Sequence, residues 1–362
     1  MKFNHHFHTS RIVAWVLALC LTGLAMLSCA PVEDPNTPDV PDEPVLQVVM
    51  DLTEEWDKVS PAGSLVQGCI VVRKEFAEKH PAAVAAFLAE YEDSVNFVIE
   101  NPKDASAVIV AQGIFAKAPV AEKAIPNCNI TFMAGQEMKS AMSEFLNVMM
   151  GVQPASIGGA IPSDDFYYTS DANADVTAPA PQTVNVSVLN GTTGFGMAKL
   201  MQSNADGAAS LNYSFKVETD ASVINAGLIN GSVDIAALPT NAASVLYNKT
   251  QGGVQLLAIN TQGVLYLLDK GNEIDSFEDL KGKTVYVPAQ NPTFIFKYLC
   301  EQNGLTVGAP GDENVDVIID NQYTAPAELQ ANVAAGTVTL AVLPEPMVSI
   351  ALTAANQADQ NK

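Results

Sequence analysis

From residue 45 onward the chain alternates short, apolar, strand-like runs with longer amphipathic stretches, and this change of period constrains the fold more than any other feature. Runs at 46–50, 69–72, 184–189, 233–237, 254–259, 264–268, 284–287, 316–319 and 338–343 have strand length. Stretches at 81–100, 103–112, 135–150, 194–202, 221–230, 241–248, 293–303, 325–335 and 345–354 have helix length and spacing. Such an order builds α/β lobes rather than a sandwich or a helical bundle. With 362 residues, 48 % of them hydrophobic, the chain can enclose extensive cores, and two compact units are expected.

One composition break interrupts the alternation. Residues 169–183, TSDANADVTAPAPQT, are small, polar and proline-rich, and read as a tether between two folded segments. Upstream, 74–150 reads as almost all helix; downstream, strands and helices alternate. No internal repeat relates the two sides.

The chain begins with Lys2 and Arg11 followed by the apolar run 12–27, shorter than the roughly 20 residues of a spanning helix, so residues 1–28 read as an export signal. Met26-Leu27-Ser28-Cys29 resembles a bacterial lipobox, although Met26 and Leu27 depart from its usual first two positions. That resemblance implies diacylation of Cys29 and a membrane held through lipid, each buried methylene contributing about 0.8 kcal/mol. Residues 29–45 form an acidic, proline-rich stalk with little to bury, and 357–362 form a polar tail.

Charge and side-chain supply exclude several functions. Forty acidic against 18 basic residues give a formal net charge of −22, which excludes nucleic-acid binding and disfavours anionic surfaces and anionic solutes. Three of the four histidines, His5, His6 and His8, lie in the signal. His80 therefore remains as the one imidazole for any catalytic triad, and it stands in EKHPAA, a helix start. Beyond Cys20 and Cys29, Cys69, Cys128 and Cys300 lack metal-ligand spacing and are expected as buried free thiols, with a disulfide between two of them as the alternative that an exported protein permits. No cofactor or metal is expected, and no enzyme activity. GTTGFG at 191–196 has neither dinucleotide-fingerprint nor P-loop spacing, and reads as a backbone-lined loop opening a helix.

Several segments together resemble the type II solute-binding proteins of bacterial ABC importers, in the branch of thiamine-precursor, sulfonate and nitrate receptors. Residues 184–201, VNVSVLNGTTGFGMAKLM, resemble the opening strand, ligand loop and first helix, and 231–249, GSVDIAALPTNAASVLYNK, a second ligand loop. EDLKGKTVYV at 278–287 and GTVTLAVLPEP at 336–346 resemble second-lobe elements. DLTEEWDKVSPAGSLVQGCIVVRKEF at 51–76 resembles the return crossing, and 81–168 the family's terminal helices. The order departs from the family, because its expected C-terminal part, 45–168, comes first. A circular permutation accounts for this with each segment used once; the rival is a fusion of two half-proteins that pair with partner chains. The resemblance then implies lobe 1 at 68–268, lobe 2 at 46–66 and 272–356, and a two-crossing hinge near 67–69 and 268–272.

Four loops that each follow a strand and open a helix supply the candidate site: 190–195, 238–241, 289–294 and 343–346. Ligands gather at the carboxyl ends of strands in open α/β sheets, where helix N-termini offer free N–H groups. Asn190, Thr192, Thr193, Thr240, Asn241, Gln290, Asn291 and Thr293 bring hydroxyls and amides there, each also an ordinary capping residue. Phe195, Phe294 and Trp56 are the aromatic candidates for stacking on a flat solute, with core packing as the alternative for each; Tyr266 and Tyr286 read as core. The four loops hold no Lys or Arg, and Glu345 is the acid among them, so a neutral or weakly cationic heterocycle is expected over a clamped anion.

The sequence reading is thus a lipid-anchored, extracytoplasmic, monomeric receptor that delivers a small organic solute to an ABC permease. A pyrimidine-like thiamine precursor is implied by the resemblance alone. An enzyme on the same scaffold, a receptor for nitrate or a sulfonate, and an adhesion or signalling protein are the alternatives.

Overall fold

A computed structural model describes residues 45–60, 65–169 and 183–359. The expected signal, Cys29, the stalk up to residue 44, the tether from 170 to 182 and the last three residues of the tail lie outside the described residues.

Among the described residues, twelve strands form two six-stranded sheets. The strands are β1 (Gln47–Asp51), β2 (Gly68–Arg73), β3 (Ile130–Ala134), β4 (Val184–Leu189), β5 (Tyr213–Glu218), β6 (Ile235–Pro239), β7 (Val254–Thr261), β8 (Leu265–Asp269), β9 (Lys283–Tyr286), β10 (Val307–Gly308), β11 (Val317–Asp320) and β12 (Leu340–Pro344). One sheet runs β3-β7-β2-β6-β4-β5 and the other β1-β8-β12-β9-β11-β10. In the first, β5, β4 and β6 are mutually parallel, β2 is reversed, and β7 runs against β2. In the second, β11, β9 and β12 are parallel, β8 is reversed, and β1 runs against β8. The two sheets therefore repeat one arrangement: three parallel strands, one reversed strand, then a strand in the original direction.

The segments on either side of the tether share both sheets. β2 comes from the first segment and lies between β6 and β7 of the second, while β1 borders β8. β2 reads as an unbroken apolar run because both its faces are covered. Cys69 and Val71 enter one hydrophobic cluster with Phe145 and Leu246, and Ile70 and Val72 enter another with Phe87, Tyr91 and Val95, as the two-residue period of a strand requires. At the start of helix Leu52–Val59, Asp51 accepts the Thr53 N–H at 2.8 Å; Asp220 does the same for Ser222 at the start of helix Ala221–Asn230.

Three strands depart from the sequence expectation. β3 interrupts the stretch expected to be almost all helix, and β5 and the two-residue β10 are additional. All three are sheet edges, where half-exposed, mixed residues weaken the apolar signal. The second crossing also moves. β8 belongs to the sheet containing β12, so the chain passes between sheets at 262–264 and not near 268–272, and 265–268 lie with lobe 2. The first crossing, at 65–67, runs alongside it: the Gln67 N–H donates to the Thr261 carbonyl (3.0 Å) and the Val264 N–H to the Gln67 side chain (2.7 Å). The pair is packed too tightly for a side chain at Gly263, where an added Cβ would meet Thr53 Oγ1 at 2.0 Å.

Candidate functional site at the junction of two lobes

The four loops follow the parallel strands β4, β6, β9 and β12 at their carboxyl ends, as expected for an open α/β sheet. Across the junction, Thr192 of the first loop donates to the carbonyl of Glu345 in the fourth at 3.4 Å. The Tyr266 hydroxyl on β8 donates to the Asn127 carbonyl in the other lobe at 2.7 Å, and the Asn129 side-chain amide donates to the Gly263 carbonyl at 2.6 Å. Helix Met347–Asp359 packs beside helix Ala118–Ala124 at the same place.

The Tyr266–Asn127 contact and the helix pair border a cavity of about 350 Å³, within the range of small-molecule sites. Lys123 and Asn127 reach it from one lobe; Val48, Tyr266, Glu345, Val348, Ser349 and Leu352 reach it from the other. Glu345 is 2 % exposed. Its carboxylate accepts the Ser349 N–H at 3.1 Å and the Ser349 hydroxyl at 2.9 Å, one turn into the helix that follows. Burial raises its pKa from 4.5 to about 7, against the opposing hydrogen bonds of Ser349 and Asn127. Burial also pushes up the Tyr266 phenol and the Cys128 thiol, with the charge of Glu345 adding to both. No ion pair among the described residues includes Glu345.

Of the residues expected from sequence, Glu345 lines this cavity and Thr192 touches its carbonyl. Asn190 and Gln290 are exposed, and Asn241 is half-buried. Thr193 is held through its carbonyl by the Asn260 amide at 2.8 Å. The Thr240 hydroxyl donates to the Val66 carbonyl at 2.9 Å, which ties the second loop to the first crossing and leaves it buried. Thr293 bonds within its own neighbourhood, to the Pro288 carbonyl and the Asn321 amide, both at 2.8 Å. Gln290 has a left-handed backbone, φ 69°, unusual for a side chain of its kind, and the Asn291 Oδ1 beside it is buried without a hydrogen-bond partner. Phe294 is half-buried against the core.

Two of the proposed stacking rings are core residues here. Phe195 is 0 % exposed and meets Phe115 edge-on at 5.8 Å, because the single turn Thr192–Phe195 directs it inward. Trp56 is also 0 % exposed, with Tyr298 at 4.9 Å and Phe145 at 6.1 Å. Phe145 lies on helix Gly135–Val152, which packs on β3 and β7, so the indole joins the two lobes. The sequence reading missed Lys123, Asn127, Ser349 and the cavity-lining role of Tyr266. Ser349 was accessible as the residue one helical turn after Glu345; the others carry no local signal.

His80 lies at the start of helix Pro81–Glu100 with the Phe76 ring at 5.1 Å. Cys69, Cys128 and Cys300 are buried free thiols, burial pushing Cys300 up to about 12. Among the described residues no group of His, Cys, Asp and Glu could hold a metal ion, and no helix is long and apolar enough to cross a membrane.

No protein-family model and no curated protein matches this chain. Among solved structures it is similar to a crystal structure of an ABC transporter from Parabacteroides distasonis, at 24 % identity and a TM-score of 0.33. The similarity covers 48 % of this chain and 56 % of that one, so little more than half of that protein's length is spanned.

Proposed function

We propose that this chain is the extracytoplasmic, lipid-anchored solute-binding component of an ABC importer, a monomer that closes two lobes around a small neutral or weakly cationic organic solute. The observation that carries the reading is the repeated sheet: two lobes of one strand order, joined by two crossings, with a cavity at their junction lined from both. A type II binding-protein fold has this plan, and a circularly permuted one accounts for β1. In the first sheet the chain runs β4, β5, β6 and then β7 beyond the reversed strand. In the second it runs β9, β11 and β12, and the corresponding last place is taken by β1 from the start of the chain. A cut between the helix after β12 and β1, with the old ends joined through 169–183, gives this order.

Lys123 favours a second reading, a receptor for a small anion such as nitrate or a sulfonate. The buried carboxylate of Glu345, which lines the same cavity, opposes that choice. Intact-mass and native mass spectrometry of the full-length protein taken from membranes tests the proposal. It expects a diacylglyceryl group on Cys29 and one small molecule held non-covalently per chain. An unmodified Cys29 removes the anchor, and a chain that carries and acquires no small molecule removes the receptor.

A further inference from the structure

The described residues bury three acidic side chains: Asp234, Asp269 and Glu345. Asp234 is matched by Arg73 at 2.8 Å and by two donors of Asn185. Asp269 accepts the backbone and side-chain N–H groups of Asn272. Glu345, like Asp269, has no ion pair among the described residues; it differs from both in place, because its donors come from Ser349 and Asn127 and it borders the junction cavity. A buried carboxylate without a cation is costly, and the cost falls when a cation enters beside it. Once Glu345 is ionised, an anion would meet its charge as repulsion, and a neutral solute would leave it uncompensated.

The rest of the lining suits a cation carried on an apolar body. Val48, Val348 and Leu352 offer aliphatic surface, and the Tyr266 hydroxyl donates to the Asn127 carbonyl, leaving an acceptor lone pair and the ring for a solute. Lys123 from helix Ala118–Ala124 and Tyr266 from β8 share the cavity lining with Glu345, and the charge of Glu345 acts on the Cys128 thiol and the Tyr266 phenol. Lys123 is exposed and can turn to solvent.

We infer that the cavity takes a small organic monocation, an ammonium or protonated ring nitrogen on an apolar body, with Glu345 as its counter-ion. The inference rests on the receptor reading above and narrows its solute class. Because Glu345 is part-protonated near neutrality, capture of the cation expels a proton, and affinity rises from pH 6 to pH 8.

Benzylammonium, with benzyl alcohol and benzoate as its neutral and anionic counterparts, tests this on the full-length protein. At pH 8, saturating benzylammonium is expected to raise Tm by about 3 °C or more, the other two by less, and Glu345→Gln to abolish the rise. Lys123→Ala, at an exposed position, is expected to tighten benzylammonium binding by about two- to threefold, where an anion site would lose its ligand. An equal or larger shift with benzyl alcohol or benzoate, a benzylammonium shift that survives in Glu345→Gln, weaker binding in Lys123→Ala, or no shift with any probe overturns the cation assignment. A small molecule that co-purifies and is neutral or anionic overturns the assignment too, while leaving the receptor standing; a chain that takes up none removes both.

Discussion

Replacing Glu345 with glutamine is expected to leave stability nearly unchanged below pH 4.5 and to raise it by up to about 3 kcal/mol at pH 8. The sign follows from which state holds the proton. Below 4.5 both folded and unfolded chains carry protonated Glu345. Between 4.5 and about 7 the unfolded chain ionises while the folded chain keeps its proton, so folding weakens steadily as pH rises. Above about 7 the folded chain ionises as well and the loss is complete. Glutamine has the same shape, can accept from Ser349, and carries no charge to desolvate. Other carboxylates titrate equally in both proteins, so the difference between their unfolding curves isolates residue 345. Urea melts at pH 4.5, 6 and 8 read the effect; parallel curves, or a variant less stable at pH 8, refute the placement of an uncompensated acid at the junction.

Truncating Trp56 to alanine is expected to destabilise the fold by about 3–5 kcal/mol, the usual range for removing a large buried aromatic ring. The indole is fully enclosed between Tyr298 of its own lobe and Phe145 of the other, and its loss opens a cavity where helices Leu52–Val59, Asn291–Gln302 and Gly135–Val152 meet. In a protein of this size the melting temperature falls by on the order of 10 °C. Trp56→Phe retains part of the contact and is expected to cost less than half as much. A ring offered to solute behaves in the opposite way: truncation then lowers affinity with little change in Tm. Calorimetry of the two variants separates these roles.

The parts of the molecule legible in the sequence are those written in local periodicity. The alternation of strand-length and helix-length segments gave the α/β class, and strand-then-helix junctions gave four loops at the carboxyl ends of β4, β6, β9 and β12. Glu345 was visible because it opens the helix after β12. What escaped notice depends on distance through space. Tyr266 looked like a core residue on a strand, and it lies mostly buried there. Its hydroxyl becomes part of the junction only because Asn127, 139 residues away, lands beside it. Lys123 and Asn127 belong to a short helix and turn whose own sequence reports nothing of the other lobe. Phe195 and Trp56 failed in the reverse sense. For Phe195, position at a helix start suggested exposure, but a single turn of helix directs the ring inward; Trp56 stood out as the one tryptophan beyond the signal, and a cross-lobe aromatic contact encloses it.

A crystal structure of the protein with the solute that it carries from its host tests the lobed-receptor account most directly. The account predicts one small molecule enclosed between 123–127 and 345–349, with the Glu345 carboxylate against its positively charged group. Solute seated on the outer face of a single lobe, away from both crossings, would contradict it.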